Sequence, residues 1–396
     1  MPLIFLLRSL FSLLSWFLVG LSVYLLWTYF TGIEAVEPDG DIRTIHEDLR
    51  LWIGLALAAW SLGGGGLVIR LLLGKSGGRP FKPQRGSGVV LPAANGDRIY
   101  IETHGIPTGP TIILTHGWGL DSSIWQYFKE DFADFRLVVW DMPGLGKSIA
   151  TRPVTLERLA EGLEEVIAWT GTGPFVLVGH SIGGMTIQTL ARNRPAALQQ
   201  ARGAVLINTT YTNPLRTMIL PGLMKALEGP VLRPAMLVTK ALLPLSWLSA
   251  WQSYLSGSAH LANRLGFGAY VTKAQLEAAT LMATRNSPGV QADGNLAMFD
   301  WDATGALAKL NMRLLVLGGS VDIVTKPSAS ETIAASAPAA ALEIAEGAGH
   351  LGFVECEERY HAAMRRFIER CFAASVSAEA GNGVIVRAQP TNVEDM

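Results

Sequence analysis

The chain has 396 residues and a formal net charge of −1, so nothing global draws it to nucleic acid. Only 16% of its residues are charged against 49% hydrophobic, a balance that in a chain this long points to membrane segments. Its two cysteines, Cys356 and Cys371, cannot form a disulfide framework or a zinc site; they fall in a C-terminal helical pattern, where core packing is the expected role.

The apolar excess gathers at the N-terminus. Residues 10–30, "LFSLLSWFLVGLSVYLLWTYF", carry no charge and are long enough to cross a bilayer as a helix. Residues 51–73 form a second candidate, interrupted only by Arg70 near its end, where the side chain can snorkel. Glycines 63–66 weaken that helix in water, but small residues allow close helix packing in a membrane. A cleaved signal peptide is the alternative for the first segment. Its run exceeds a usual signal core, no A-x-A site follows, and a second apolar segment comes soon after, so a retained hairpin over 1–74 is expected. The connecting loop, 31–50, is mainly acidic. Arg8 precedes the first span, and Lys75, Arg79, Lys82 and Arg85 follow the second, so both ends should lie on the cytoplasmic side of the membrane.

Residues 75–88, rich in Gly, Pro and basic side chains, read as a linker. From 89 to 372, short apolar runs alternate with helical stretches, as a largely parallel sheet flanked by helices requires. The expected strands are "RIYIETHG", "TIILTHG", "RLVVWDMPG", "FVLVGHS", "GAVLINT", "RLLVLGGS" and "ALEIAEGAGH", with helices such as 155–169 and 183–193 between them. The alternation breaks over about 210–295, a helical stretch rich in Leu, Met, Ala, Pro and Trp. It reads either as an ordinary helical subdomain or as a lid over the carboxyl ends of the strands, where open α/β sheets place ligands. Residues 373–396 lose periodicity and read as a flexible tail.

One serine stands out. Gly179-His180-Ser181-Ile182-Gly183 joins the apolar run "FVLV" to a helical pattern, the context in which G-x-S-x-G forms a nucleophile elbow. Small neighbours permit the tight turn, and the helix starting there offers free N–H groups to a developing oxyanion. A serine nucleophile needs a base, and seven histidines are available. His46 lies in the hairpin loop, His104 ends an early strand, His260 falls in the lid and His361 in a terminal helix. His180 should point away from its neighbour, and His116 directly follows a strand. His350, in the glycine-flanked loop "GAGHLGFVE", remains. The orienting acid is Asp322, in the loop after "RLLVLGGS"; Asp293, Asp300 and Asp302 come earlier, in or beside the lid. In "LTHGWG", where His116 and Gly117 support the turn, the N–H of Trp118 can share an oxyanion with that of Ile182. The Trp118 side chain lines an acyl pocket or simply packs.

"DMPGLGKS" ends like a phosphate-binding loop, but Asp141 stands where that motif needs its first glycine; the segment reads as a turn stabilised by Asp141 and its glycines. No metal-binding or dinucleotide fingerprint appears, and no cofactor is expected.

Together "HGWG", "DMPGLGKS", "GHSIGG", "GGSVDIVT" and "GAGHLGFVE", in that order, resemble the α/β-hydrolase superfamily over roughly residues 86–372. The resemblance implies an α/β-hydrolase fold with a Ser181–Asp322–His350 triad, and serine at the elbow argues against the branches that use aspartate there. The expectation is a membrane-anchored serine hydrolase of carboxylic esters, of lipid or acylglycerol type. A non-catalytic small-molecule receptor or scaffold and an acyltransferase using the same residues are the alternatives.

Overall fold

The computed structural model describes residues 2–36, 38, 40–308, 312–337, 340–373 and 385–387; most of the 373–396 tail thus lies outside the described residues. The chain opens with a helix over Pro2–Thr31, followed by a short antiparallel ribbon of β1 (Ile33–Val36) and β2 (Ile42–Ile45). A second helical span runs from Asp48 to Leu73. It is interrupted by a π-turn over Trp60–Gly64, where Gly63 adopts φ 146°. Both spans are long and apolar enough to cross a membrane.

The side chains of the first helix are distributed inside out. Its serines Ser12, Ser15 and Ser22 are buried, whereas Leu13, Phe17, Tyr24 and Trp27 stand exposed. Ser22 donates to the Gly54 carbonyl at 2.8 Å, Ser12 Oγ lies 2.6 Å from Ser249 Oγ, and Gln252 donates to Ser15 Oγ at 2.5 Å. Hydroxyls facing protein and hydrocarbon facing outward is the arrangement expected of a helix in lipid. The glycine run works the same way: a side chain at Gly66 would meet the Leu255 backbone oxygen at 2.8 Å. The hairpin is therefore packed directly onto the helix Leu243–Leu255 of the inserted region.

Residues 75–87 hold no regular structure but run along the domain. Arg79 pairs with Asp131 at 2.8 Å, Arg85 with Asp141 at 2.6 Å, and Phe81 is buried. Among the described residues, nine strands follow in one sheet: β3 (Gly88–Pro92), β4 (Arg98–Gly105), β5 (Thr111–Thr115), β6 (Arg136–Trp140), β7 (Phe175–His180), β8 (Ala201–Ile207), β9 (Arg313–Gly319), β10 (Ala340–Ala345) and β11 (Ile385–Arg387). Their order is β11-β10-β9-β8-β7-β5-β6-β4-β3, parallel from β6 through β5 to β11, with β3 and β4 antiparallel at one edge. Every residue of β7 is buried, because helices cover both faces and an uninterrupted apolar run is what such a position demands. The helix Leu156–Thr170 shows how a layer is attached. Thr155 caps it by accepting the Arg158 N–H, and Leu156, Leu159, Leu163 and Val166 bury the face turned to the sheet.

Between β8 and β9 the inserted region is helical, ending with Lys273–Arg285 and Pro288–Phe299. Its segments Pro221–Ala241 and Leu243–Leu255 meet at a 104° bend. Leu3 of the first helix is buried among Leu215, Met218, Met236 and Phe299 of this region. The start of the hairpin thus plugs into the insertion rather than hanging beside it.

Cysteines placed at Ser12 and Ser249 should form a disulfide under mild oxidation, since the two hydroxyl oxygens touch. After proteolysis between the hairpin and the domain, the fragments should stay joined until reduced; fragments that separate without reductant contradict this packing.

Candidate active site

Five consecutive strands deliver the candidate residues to one edge. Trp118 follows β5, Ser181 follows β7, Asn208 follows β8, Asp322 follows β9 and His350 follows β10, all at carboxyl ends. Ser181 sits at the strand-to-helix junction with φ 56° and ψ −118°, a conformation a non-glycine residue adopts only when its surroundings impose it. Its N–H donates to the Ile207 carbonyl at 2.9 Å, and the Thr209 hydroxyl donates to its carbonyl at 2.6 Å. The flanking glycines are needed for proximity. A side chain at Gly179 would meet Gly183 backbone atoms at 2.7 Å, and one at Gly183 would collide with the Thr115 backbone oxygen.

The three residues expected to work together are in contact. His350 Nε2 lies 3.0 Å from Ser181 Oγ, and His350 Nδ1 lies 2.8 Å from Asp322 Oδ2. Asp322 is buried and accepts from the Val324 N–H at 2.7 Å, the Thr325 N–H at 3.0 Å, the Thr325 hydroxyl at 2.9 Å and the Asn208 amide at 3.0 Å. Burial alone would push its carboxyl up. The neighbouring His350, the Thr325 N–H and the Asn208 amide outweigh that and hold it below the ordinary carboxylate value. Asn208 is itself fixed by the Tyr360 hydroxyl, which donates to its Oδ1 at 2.9 Å.

Two other histidines lie close by and have different partners. His180 Nε2 donates to the His350 backbone oxygen at 2.9 Å, and its ring packs on Phe353 with centroids 4.6 Å apart. Burial, with His350 adjacent, pushes its pKa well below the ordinary imidazole value. His116 accepts the Met142 N–H at 3.0 Å on Nε2 and places Nδ1 2.9 Å from the Gly117 oxygen. Burial lowers its pKa as well. It ties the β5 loop to the "DMPGLGKS" loop, whose Asp141 accepts from the Ser122 and Lys147 N–H groups while pairing with Arg85. Gly117 has no room for a side chain because His180 Nδ1 occupies that space.

Among the described residues, the backbone N–H groups of Trp118 and Ile182 donate no hydrogen bond within the protein. The Trp118 side chain is buried, donates from Nε1 to the Gln291 carbonyl at 3.0 Å and also forms cavity wall, so packing and lining coincide. The cavity above Ser181 and His350 has a volume of about 210 Å³. Its walls come from the β5 loop, the helices 243–299 and, unexpectedly, the first helix, through Ile4, Phe5, Arg8, Ser9 and Ser12. Among the described residues, no cluster of His, Cys, Asp or Glu could hold a metal ion.

Sequence reasoning missed Asn208, Thr325, Tyr360 and Arg8. Thr325, three residues beyond Asp322, was open to discovery, because a hydroxyl there closes a turn onto the carboxylate. Arg8, taken as a flanking charge of the first span, instead lies inside the helix and faces the cavity.

A family model described as the alpha/beta hydrolase family matches residues 112–363. The chain belongs to this family of α/β-fold hydrolases. It is 26% identical over 285 residues to a putative carbamate hydrolase RutD of Caulobacter sp. (strain K31), covering 69% of this chain and 96% of the relative. It is 32% identical over 103 residues to a pimeloyl-[acyl-carrier protein] methyl ester esterase of Pseudoalteromonas atlantica; that match spans 25% of this chain and only 38% of the relative. Among solved structures, an esterase from Exiguobacterium antarcticum aligns with a TM-score of 0.59 at 18% identity, covering 72% of this chain and all of that one. A hydrolase from Pseudomonas aeruginosa PA01 aligns with a TM-score of 0.55 at 25% identity, covering 72% and 99%.

The depressed Asp322 value has a consequence for stability. A carboxyl held below its unfolded value of about 4 contributes stability above that pH and loses it as pH falls through the lower folded value. The stability advantage of the wild type over Asp322→Asn should therefore be present between pH 5 and 7 and shrink below about pH 4 in denaturant titrations. A difference independent of pH would show that ionised Asp322 is not preferentially held in the folded state.

Proposed function

We propose that the protein is a membrane-anchored serine hydrolase that cleaves carboxylic esters of lipid or acylglycerol type through an acyl-enzyme. The observation that carries this reading is the continuous contact from Asp322 through His350 to Ser181 Oγ, opening onto a cavity with both apolar and polar walls. Ser181 Oγ attacks the ester carbonyl while His350 Nε2 takes its proton, and the N–H groups of Trp118 and Ile182 receive the developing oxyanion. Asp322 balances the imidazolium that forms. His350 then returns the proton to the departing alkoxide, and the alcohol leaves. Water, deprotonated by the same imidazole, attacks the acyl-serine and releases the acid.

The lipid preference draws on the outer surface of the inserted region. Leu237, Val238, Leu245, Leu248 and Trp251 are exposed there, beside the helix that would sit in the bilayer. An apolar patch continuous with a membrane hairpin suits a lid lying at the lipid boundary. With the basic residues 75–85 after the second span, the hydrolase domain belongs on the cytoplasmic face.

Ser181→Ala should lower kcat for short p-nitrophenyl esters by ~10⁴-fold or more in full-length protein. Hydrolysis at the wild-type rate would sink the mechanism and favour a receptor or scaffold.

Removing residues 1–74 should release the protein from membranes in cell fractionation. It should also lower kcat/KM for long-chain esters, because part of the cavity wall leaves with the hairpin. A truncated protein still bound to membrane, or one with unaltered long-chain activity, would contradict the anchor or the shared wall respectively.

A further inference from the structure

The first helix carries a single charged residue in its 30 positions, and that residue, partly exposed, lines a cavity. Arg8 lines the same cavity as Ser181 and His350, one turn after Ile4 and Phe5 and one turn before Ser12. The next turn toward the N-terminus is locked in place, since Leu3 is buried among the inserted helices. Arg8 is thus presented to the cavity by a fixed helix rather than reaching it from a loop.

Among the described residues Arg8 has no counter-charge. It makes no ion pair and no hydrogen bond with them. Among the described residues, no aspartate or glutamate lines the cavity, whose other polar walls are serines, threonine, asparagines, glutamine and the site histidines. Two of these amides are also incompletely satisfied: Asn263 Nδ2 and Asn295 Oδ1 are buried without partners, and both residues line this cavity. By contrast, the nearby Lys240 on the same group of helices is neutralised by Asp293 at 2.5 Å. A guanidinium in such surroundings is costly unless an anion completes it. Its planar set of N–H donors matches a phosphate or carboxylate.

We infer that Arg8 is the anion-recognising residue of the cavity, and that the substrate is an acyl ester bearing a phosphate or carboxylate in addition to the ester that is cleaved. This rests on the Ser181 hydrolase reading. The anchor helix then determines specificity as well as location: it brings the cation that orients an anionic amphiphile with its ester at Ser181. The anion can sit on the alcohol side, as in a monoacylglycerol phosphate, or at the far end of the acyl chain, as in the monoester of a dicarboxylic acid.

The test uses full-length protein in detergent with two matched pairs: monoacylglycerol phosphate against monoacylglycerol, and a dicarboxylic acid monomethyl ester against its dimethyl ester. Wild type should favour the charged member of one pair in kcat/KM, and that pair identifies the side bearing the anion. Arg8→Gln should reduce the charged-to-neutral ratio by roughly 10- to 100-fold, and Arg8→Lys should restore much of it. A ratio unchanged by Arg8→Gln, with the wild type active on the esters, overturns the Arg8 assignment and leaves the hydrolase reading standing. A wild type that cleaves none of the four esters overturns both. The wild type alone gives an independent measurement should the variants fail to fold: decyl phosphate should inhibit competitively at roughly tenfold lower concentration than decanol. Equal inhibition by the two overturns the assignment.

Discussion

The arrangement of the site depends on how closely the helix beginning at Ile182 approaches strands β5 and β7. Gly179 and Gly183 pass within side-chain distance of each other and of the Thr115 carbonyl, and nothing larger than hydrogen fits between them. That proximity forces Ser181 into φ 56°, a conformation costing about 1–3 kcal/mol that the surrounding packing must offset. In return the Ser181 side chain is brought within reach of His350, and the Ile182 N–H beside it makes no hydrogen bond among the described residues. The loops after β8, β9 and β10 then need only ordinary turns to bring Asn208, Asp322 and His350 alongside. A relaxed junction would leave the same residues present and the contact between Ser181 and His350 lost.

Much of this arrangement is legible in the sequence, because buried parallel strands write themselves as uninterrupted apolar runs. The seven strands read from those runs correspond to β4–β10, and the helices 155–169 and 183–193 to Leu156–Thr170 and Ile182–Asn193. The candidate triad was legible for a related reason: each member stands in a loop immediately beyond such a run. β3 was not, since the exposed edge strand Gly88–Pro92 has no burial pattern and begins inside a stretch that reads as linker. The linker composition was likewise silent about the ion pairs of Arg79 and Arg85, whose partners Asp131 and Asp141 lie some fifty positions onward. Asn208 and Tyr360 meet only across the fold, and no local spacing announces that contact.

The hairpin is where sequence and structure diverge most usefully. Composition identifies two spans and treats them as a tether. Packing makes the first of them a structural part of the hydrolase, with serines turned inward to the inserted helices, Leu3 in their core and Arg8 at the cavity. On the proposed reading, anchor and specificity are properties of one helix, and a relative lacking it would share the chemistry without sharing the cavity.

The central claim is that Ser181 is the activated nucleophile of this hydrolase. The most direct measurement is intact-mass spectrometry of the folded, full-length protein after treatment with a fluorophosphonate, followed by peptide mapping. The account predicts a single adduct, on Ser181, blocked by prior heat denaturation. An adduct on another residue, or none on protein that is demonstrably folded, would contradict it.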